Sequence, residues 1–144
     1  MNSLLEYCYL PIMPARVKNR YMTEYYVQQV LRELGLHKLR TLPIEIKIQK
    51  NIGGALGFCE GSKEYAIVKI ATHCPDTGRK ITYLEMMKVL THELVHAKQF
   101  IRGQLSGLGV WKWKGRYAEN YKYENQPWEK EAYRLEDQIF MKCF

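Results

Sequence analysis

The chain has no apolar run near the ~20 residues that a membrane-spanning helix requires; its longest uninterrupted apolar stretches are a few residues. A transmembrane segment is therefore not expected. The start Met1-Asn2-Ser3-Leu4-Leu5-Glu6 lacks a basic flank leading into an apolar stretch, so no secretory signal is expected either. Cysteine is sparse and scattered: Cys8, Cys59, Cys74 and Cys143 form no C-x-x-C pair, which excludes a zinc ribbon and a dense disulfide scaffold. Free thiols in a reducing cytoplasm are the simpler reading. There is no internal repeat, low-complexity tract or linker that would divide the chain, so residues 1–144 read as one domain. With 47% hydrophobic and 26% charged residues the composition is that of a globular fold rather than a disordered segment.

Charge is present in excess of one sign and is unevenly placed. Residues 14 to 50 carry eight Lys/Arg against three Glu, and residues 98 to 122 carry six against Glu119, while the net charge of the whole chain is +7. Acid collects at the C-terminal end, where Glu124, Glu129, Glu131, Glu136 and Asp137 face three bases. Such basic segments can steer a protein toward nucleic acid or another anionic partner, although a solvated face that serves solubility is the commoner use.

Periodicity supplies the elements. Tyr26, Val27, Val30, Leu31 and Leu34 recur at helical spacing before Gly35, which predicts a first helix over Thr23 to Leu34. Pro43 to Lys50 alternates apolar and polar residues, and Asn51-Ile52-Gly53-Gly54 supplies a turn before Ala55 to Glu60, which predicts a hairpin with one wet face. Tyr65 to Ile70 is β-branched and predicts a third strand at the sheet edge near the cleft, where it could pair with an extended substrate. Thr82 and Glu85 form a capping box that opens a long helix running to about Arg102, with Gly103 as its stop. Residues 103 to 126 read as a long, partly ordered connection. Pro127 opens a last helix with the stripe Trp128, Ala132, Leu135 and Ile139. The fold class is α+β, with a small, mostly antiparallel sheet packed on the long helix.

Within that long helix stands His92-Glu93-Leu94-Val95-His96. Positions four apart project from one helical face about one turn apart, which lets two imidazoles reach one Zn²⁺ at ~2.0 Å while Glu93 stands beside them as a base. Only four histidines exist (His37, His73, His92, His96) and none follows His96. A downstream third ligand must then be a carboxylate or Cys143. The metzincin continuation is excluded, because Gln99 and Arg102 occupy the positions of its glycine and second-turn histidine. Pro127-Trp128-Glu129-Lys130-Glu131-Ala132 offers two glutamates at the start of the last helix, flanking its apolar stripe on opposite sides. The helical wheel alone does not choose between them.

The order of a helix, a small sheet, an H-E-x-x-H helix and a glutamate helix resembles a minimal zincin metallopeptidase of the gluzincin kind. The Glu-x-Glu-Ala string is similar to the glutamate helix of ImmA/IrrE-type small bacterial and phage peptidases, and the layout also resembles SprT-like domains. This resemblance implies His92 and His96 as zinc ligands, Glu93 as general base and Glu129, three residues before Ala132, as third ligand. In larger gluzincins an Asp four residues after the ligand glutamate orients a histidine. That offset from Glu129 or Glu131 holds Tyr133 or Leu135 here, so the resemblance assigns no such partner.

Other signals are bland by comparison. Trp111-Lys112-Trp113-Lys114-Gly115-Arg116-Tyr117 alternates aromatic and basic residues, as a single-stranded nucleic-acid site would, but a half-buried strand beside the site explains it as well. Tyr117, Tyr121, Tyr123 and Tyr133 are candidates to donate a hydrogen bond to an oxyanion. His73-Cys74 with Cys59 lacks the spacing and number of a second metal site. The expected function is a zinc-dependent metallopeptidase acting on peptide or protein. Two rivals stand beside it: a non-catalytic, zinc-stapled structural or binding protein of a phage or mobile element, and a peptidase acting on DNA-bound proteins.

Overall fold

The structure, a computed structural model, describes residues 20–39, 43–107, 111–118 and 121–143. Cys8, Arg16, Lys18, Arg40 and Glu119 lie outside the described residues, so the part they play in the thiol and charge readings lies outside as well. Helix α1 spans Arg20–Glu33 and buries Tyr26, Val27, Val30, Leu31 and, just beyond it, Leu34. Gly35 follows with φ 75°, a left-handed turn that a side chain would strain. Strands β1 (Ile44–Gln49), β2 (Gly57–Gly61) and β3 (Ala66–Ala71) form one sheet. β1 turns Ile44, Ile46 and Ile48 inward and leaves Glu45 and Gln49 in solvent, the one-wet-face pattern that its alternation predicts.

The connectivity differs from the expected hairpin. β3 lies between the other two: it pairs with β1 in parallel, Ile46 opposite Val68, and with β2 antiparallel, Cys59 opposite Val68. The tight connection is the one between β2 and β3, where Ser62 N–H donates to the Tyr65 carbonyl at 2.7 Å. A parallel partner needs a crossover of a dozen or more residues, and residues 50–65 provide it with β2 inside. The physical reason is burial. β3 is the most apolar strand, with Ala66, Val68, Ile70 and Ala71 almost inaccessible, and the centre is the place that hides both its edges. The third strand is thus central rather than at the edge, and the edge nearest the site is β2.

Helix α2 (Tyr83–Ile101) opens on the expected capping box: Glu85 N–H donates to the Thr82 hydroxyl at 3.1 Å, and Thr82 N–H to the Glu85 carboxylate at 3.4 Å. It closes with Gly103 at φ 72°, where Gln104 N–H reaches the Gln99 carbonyl and Gly103 N–H the Phe100 carbonyl. Met87, Leu90, Leu94 and Val95 of α2 meet Val68 and Ile70 of the sheet and Val27 and Val30 of α1 in one core. The Tyr26 hydroxyl bonds that of Thr91; Thr91 already donates to the Met87 carbonyl, so Tyr26 is the donor.

The described residues between 105 and 118 form strands where the sequence predicts a connection. β4 (Leu105–Ser106), β5 (Lys112–Trp113) and β6 (Arg116–Tyr117) form a second, antiparallel sheet. Lys114 (φ 51°) and Gly115 (φ 83°) make the two-residue turn between β5 and β6 with positive φ at both positions. Helix α3 (Pro127–Cys143) packs along α2 and buries Ala132 and Ile139. The class is α+β, with three α-helices and small, mostly antiparallel sheets among the described residues. None of those helices is long and apolar enough to cross a membrane, and Cys59, Cys74 and Cys143 are all free.

Candidate metal centre

The site is built where α2, α3 and β2 meet. One turn of α2 separates His92 from His96 and brings His96 Nε2 within 3.2 Å of His92 Nε2. Glu129, in the first turn of α3, places Oε1 at 3.1 Å from His92 Nε2 and 2.6 Å from His96 Nε2. Small Ala132, fully buried three residues on, lies in the interface through which α3 packs along α2. His92, His96 and Glu129 could hold a metal ion, and they are the one such group among the described residues. A tetrahedral ion bound at ~2.0–2.1 Å sets its ligand atoms about 3.3 Å apart, close to two of the three separations observed.

The outer hydrogen bonds decide which nitrogens face inward. His92 Nδ1 donates to Glu136 Oε1 at 3.0 Å, and His96 Nδ1 donates to Gln99 Oε1 at 2.8 Å. With their Nδ1 atoms so engaged, both rings direct Nε2 toward each other and toward a carboxylate oxygen, and a ring in its neutral form presents a lone pair there. Three acceptors converging on one point fit a cation. The field agrees: burial alone would lower the His92 pKa, yet the Glu129 and Glu136 carboxylates push it up to about 9. Burial alone would raise Glu129, yet the two imidazoles hold it well below the usual carboxylate range.

Glu93 differs from every other polar residue of the site. It is 8% exposed, and among the described residues no group donates a hydrogen bond to its carboxylate. Burial raises its pKa, with His96 and His92 pulling the other way. It borders a cavity of about 430 Å³ whose other walls include Gly57, Cys59 and Val89 on one side and Tyr123, Tyr133 and Glu136 on the other. That volume takes a few side chains of a ligand. Burial, then Glu93 and Glu60, pushes the Cys59 thiol well above its ordinary value, so it stays protonated.

The remaining residues singled out in the sequence separate cleanly. Glu131 turns away from the histidines and accepts from Lys98 Nζ at 2.9 Å and Gln99 Nε2 at 3.1 Å. Tyr123 and Tyr133 line the cavity, their hydroxyls 3.4 Å apart, and the Tyr133 ring lies 4.6 Å from that of His92. Tyr121 stacks on Trp128 and Tyr117 is 71% exposed on the second sheet, so neither lines the cavity. Cys143 lies in the core margin, and His37 and His73 join no metal-ligating group. The half-buried strand expected at Trp111 to Tyr117 is instead a hairpin with Lys112, Lys114, Arg116 and Tyr117 exposed, while Trp113 packs on Trp128 at 6.2 Å and the partly exposed Trp111 ring lies 6.2 Å from Phe100.

Two residues of the centre escaped the sequence reading. Glu136 lies seven residues after Glu129, two turns along the same face of α3, where the four-residue offset of larger gluzincins does not look. Gln99 lies one turn after His96 and is fully buried. Its only sequence signal is a polar amide on the apolar side of α2. No protein-family model, curated protein or solved structure matches the chain.

Proposed function

We propose that this chain is a zinc-dependent metallopeptidase of the gluzincin kind, with His92, His96 and Glu129 as ligands and Glu93 as general base. The observation that carries the reading is the Glu93 carboxylate, on a residue 8% exposed, with no hydrogen-bond donor among the described residues and turned to a cavity beside three converging ligand atoms. A carboxylate kept at a partly desolvated cavity wall, with its lone pairs unspent on the protein, suits proton transfer better than a structural role. A zinc-stapled structural protein needs the two histidines and the third ligand, but has no use for this group.

Zn²⁺ bound there would polarise a water and lower its pKa toward ~7. Glu93, whose pKa burial raises, would take the proton of the attacking water and then pass it to the leaving amine. Tyr123, whose pKa is raised by the Tyr133 hydroxyl and by burial, remains an O–H donor at the cavity for the oxyanion of the tetrahedral intermediate. Among the described residues β3 occupies only one edge of β2, so the outer edge is the one an extended peptide would pair with.

The test is Glu93→Gln. The variant should bind about one Zn²⁺, fold like the parent, and lose roughly 10²- to 10⁴-fold in peptide hydrolysis. Cleavage of an identified substrate at the parental rate would remove the mechanism. The second reading, a peptidase acting on DNA-bound proteins, is favoured by the exposed aromatic and basic hairpin at Trp111 to Tyr117.

A further inference from the structure

We infer that Gln99 is the positioning residue that sets His96 and Glu129 as a pair, and that Glu131 fixes which way the Gln99 carboxamide points. The inference rests on the metal-site reading above, but its geometric content is independent of the ion. Gln99 is fully buried on α2, one turn beyond His96. Its Nε2 donates to the Trp128 carbonyl at 2.9 Å and to Glu131 Oε1 at 3.1 Å. Both partners can only accept, so the amide nitrogen must face them and Oε1 must face His96. An oxygen there calls for a proton on His96 Nδ1, at 2.8 Å, so that the neutral ring is held in the tautomer whose Nε2 lone pair faces Glu129. The ring's tautomer and rotation are thus written by an amide whose own orientation is written by a carboxylate.

The same amide acts on the other ligand. Trp128 immediately precedes Glu129, in the first turn of α3, so the bond to its carbonyl pins the backbone that carries the Glu129 side chain. Two ligands on different helices are referred to one side chain between them. Glu131 is itself held by Lys98 at 2.9 Å, with both side chains 16% exposed, which closes the chain of partners at the surface. Every hydrogen-bonding group of Gln99 is used. A buried amide is costly when any of its groups is idle, and an apolar residue would fill the same space more cheaply. His92 is oriented differently, by the carboxylate of Glu136, so the two imidazoles are fixed by separate devices.

Gln99→Met keeps the volume and removes the amide. Zn²⁺ affinity measured by chelator competition should fall about 10- to 100-fold, as loss of such outer partners does elsewhere. Nitrogen-15 spectra of the histidine side chains, taken on the protein stripped of metal, should show the proton on His96 Nδ1 in the parent and a loss of that preference in Gln99→Met, with His92 unchanged. Glu131→Met, nearer the surface, should weaken Zn²⁺ by roughly 10-fold or less and blur the same His96 signal. A folded Gln99→Met with Zn²⁺ affinity within about twofold of the parent and an unmoved His96 signal would overturn the inference. Should Gln99→Met not fold, unchanged affinity and an unchanged His96 signal in Glu131→Met would overturn it equally. A parent that binds no Zn²⁺ but shows the His96 Nδ1 proton, lost in Gln99→Met, would break the metal reading and leave this one standing.

Discussion

On the α3 side of α2 the polar groups of the site are engaged in pairs: His92 with Glu136, His96 with Gln99, Gln99 with Glu131 and the Trp128 carbonyl, Glu131 with Lys98. On the β2 side of the same helix the chain presents a glycine, a protonated thiol and a free strand edge, and the nearby Glu93 carboxylate has no donor among the described residues. The two sides sit within one turn of each other, so the difference is not one of burial. On the proposed function it is a difference of task. A group of ligands must be held in one geometry, which takes satisfied hydrogen bonds, whereas a base that exchanges a proton must not have its lone pairs spent on the protein.

If that division holds, the largest effects belong to the engaged side. His96→Ala or Glu129→Ala should leave the purified protein without stoichiometric Zn²⁺, because two ligands seldom retain the ion. Glu131→Ala should still carry about one equivalent at micromolar protein, since Glu131 faces Lys98 rather than the histidines. Metal analysis of the three variants decides it. Metal kept in Glu129→Ala and lost in Glu131→Ala would reverse the roles given to the two glutamates.

The open side should respond in rate and not in metal. A Cβ on Gly57 would stand 2.6 Å from Val89 Cγ1 and 2.9 Å from both Glu93 Cγ and Glu93 Oε2, closer than such atoms approach. Gly57→Ala must displace the base or the strand. A displacement of the order of 1 Å costs up to about 10²-fold in a positioned reaction, so kcat should drop by roughly 10- to 100-fold and Tm should fall by a few degrees, while Zn²⁺ content stays near the parent's. Loss of metal in Gly57→Ala would show that the two sides are mechanically one.

How far the sequence reaches follows the same line. The three helices are legible because caps, glycine stops and 3.6-residue stripes are local signals, and the Thr82 and Glu85 cap sits where its pattern places it. The pairing of strands is not local. Alternation marks β1 and the turn after it marks β2, but neither says anything of β3 entering between them, and the hint lay in the apolar excess of Ala66 to Ala71. The two histidines and Glu93 follow from a spacing within one helix, while Glu129 against Glu131 turns on how two helices face each other. Glu136 and Gln99 are on the correct faces at seven and three residues from Glu129 and His96, yet many polar residues share such offsets. Only packing selects among them.

The smallest effect expected lies on the hairpin, which meets the helices through two tilted ring pairs, Trp113 with Trp128 and Trp111 with Phe100. Its far surface carries Lys112, Lys114 and Arg116, all exposed, and among the described residues none of them has a carboxylate within ion-pair distance. Lys112 Nζ lies 5.1 Å from the centre of the Tyr117 ring, so positive charge and an aromatic face are offered together. A single-stranded nucleic acid uses both, its phosphates meeting the cations and its bases the rings. Retention on single-stranded DNA should then fall with salt, and replacing all three bases with Ala should reduce the slope of log affinity against log salt by about 2, at ~0.7 per phosphate contact. Zn²⁺ content and peptide hydrolysis should be unaffected, because none of the three borders the cavity. A parent protein that is not retained even at low salt would reduce the hairpin to a solvated surface, and with it would go the reading of a peptidase directed to DNA-bound substrates.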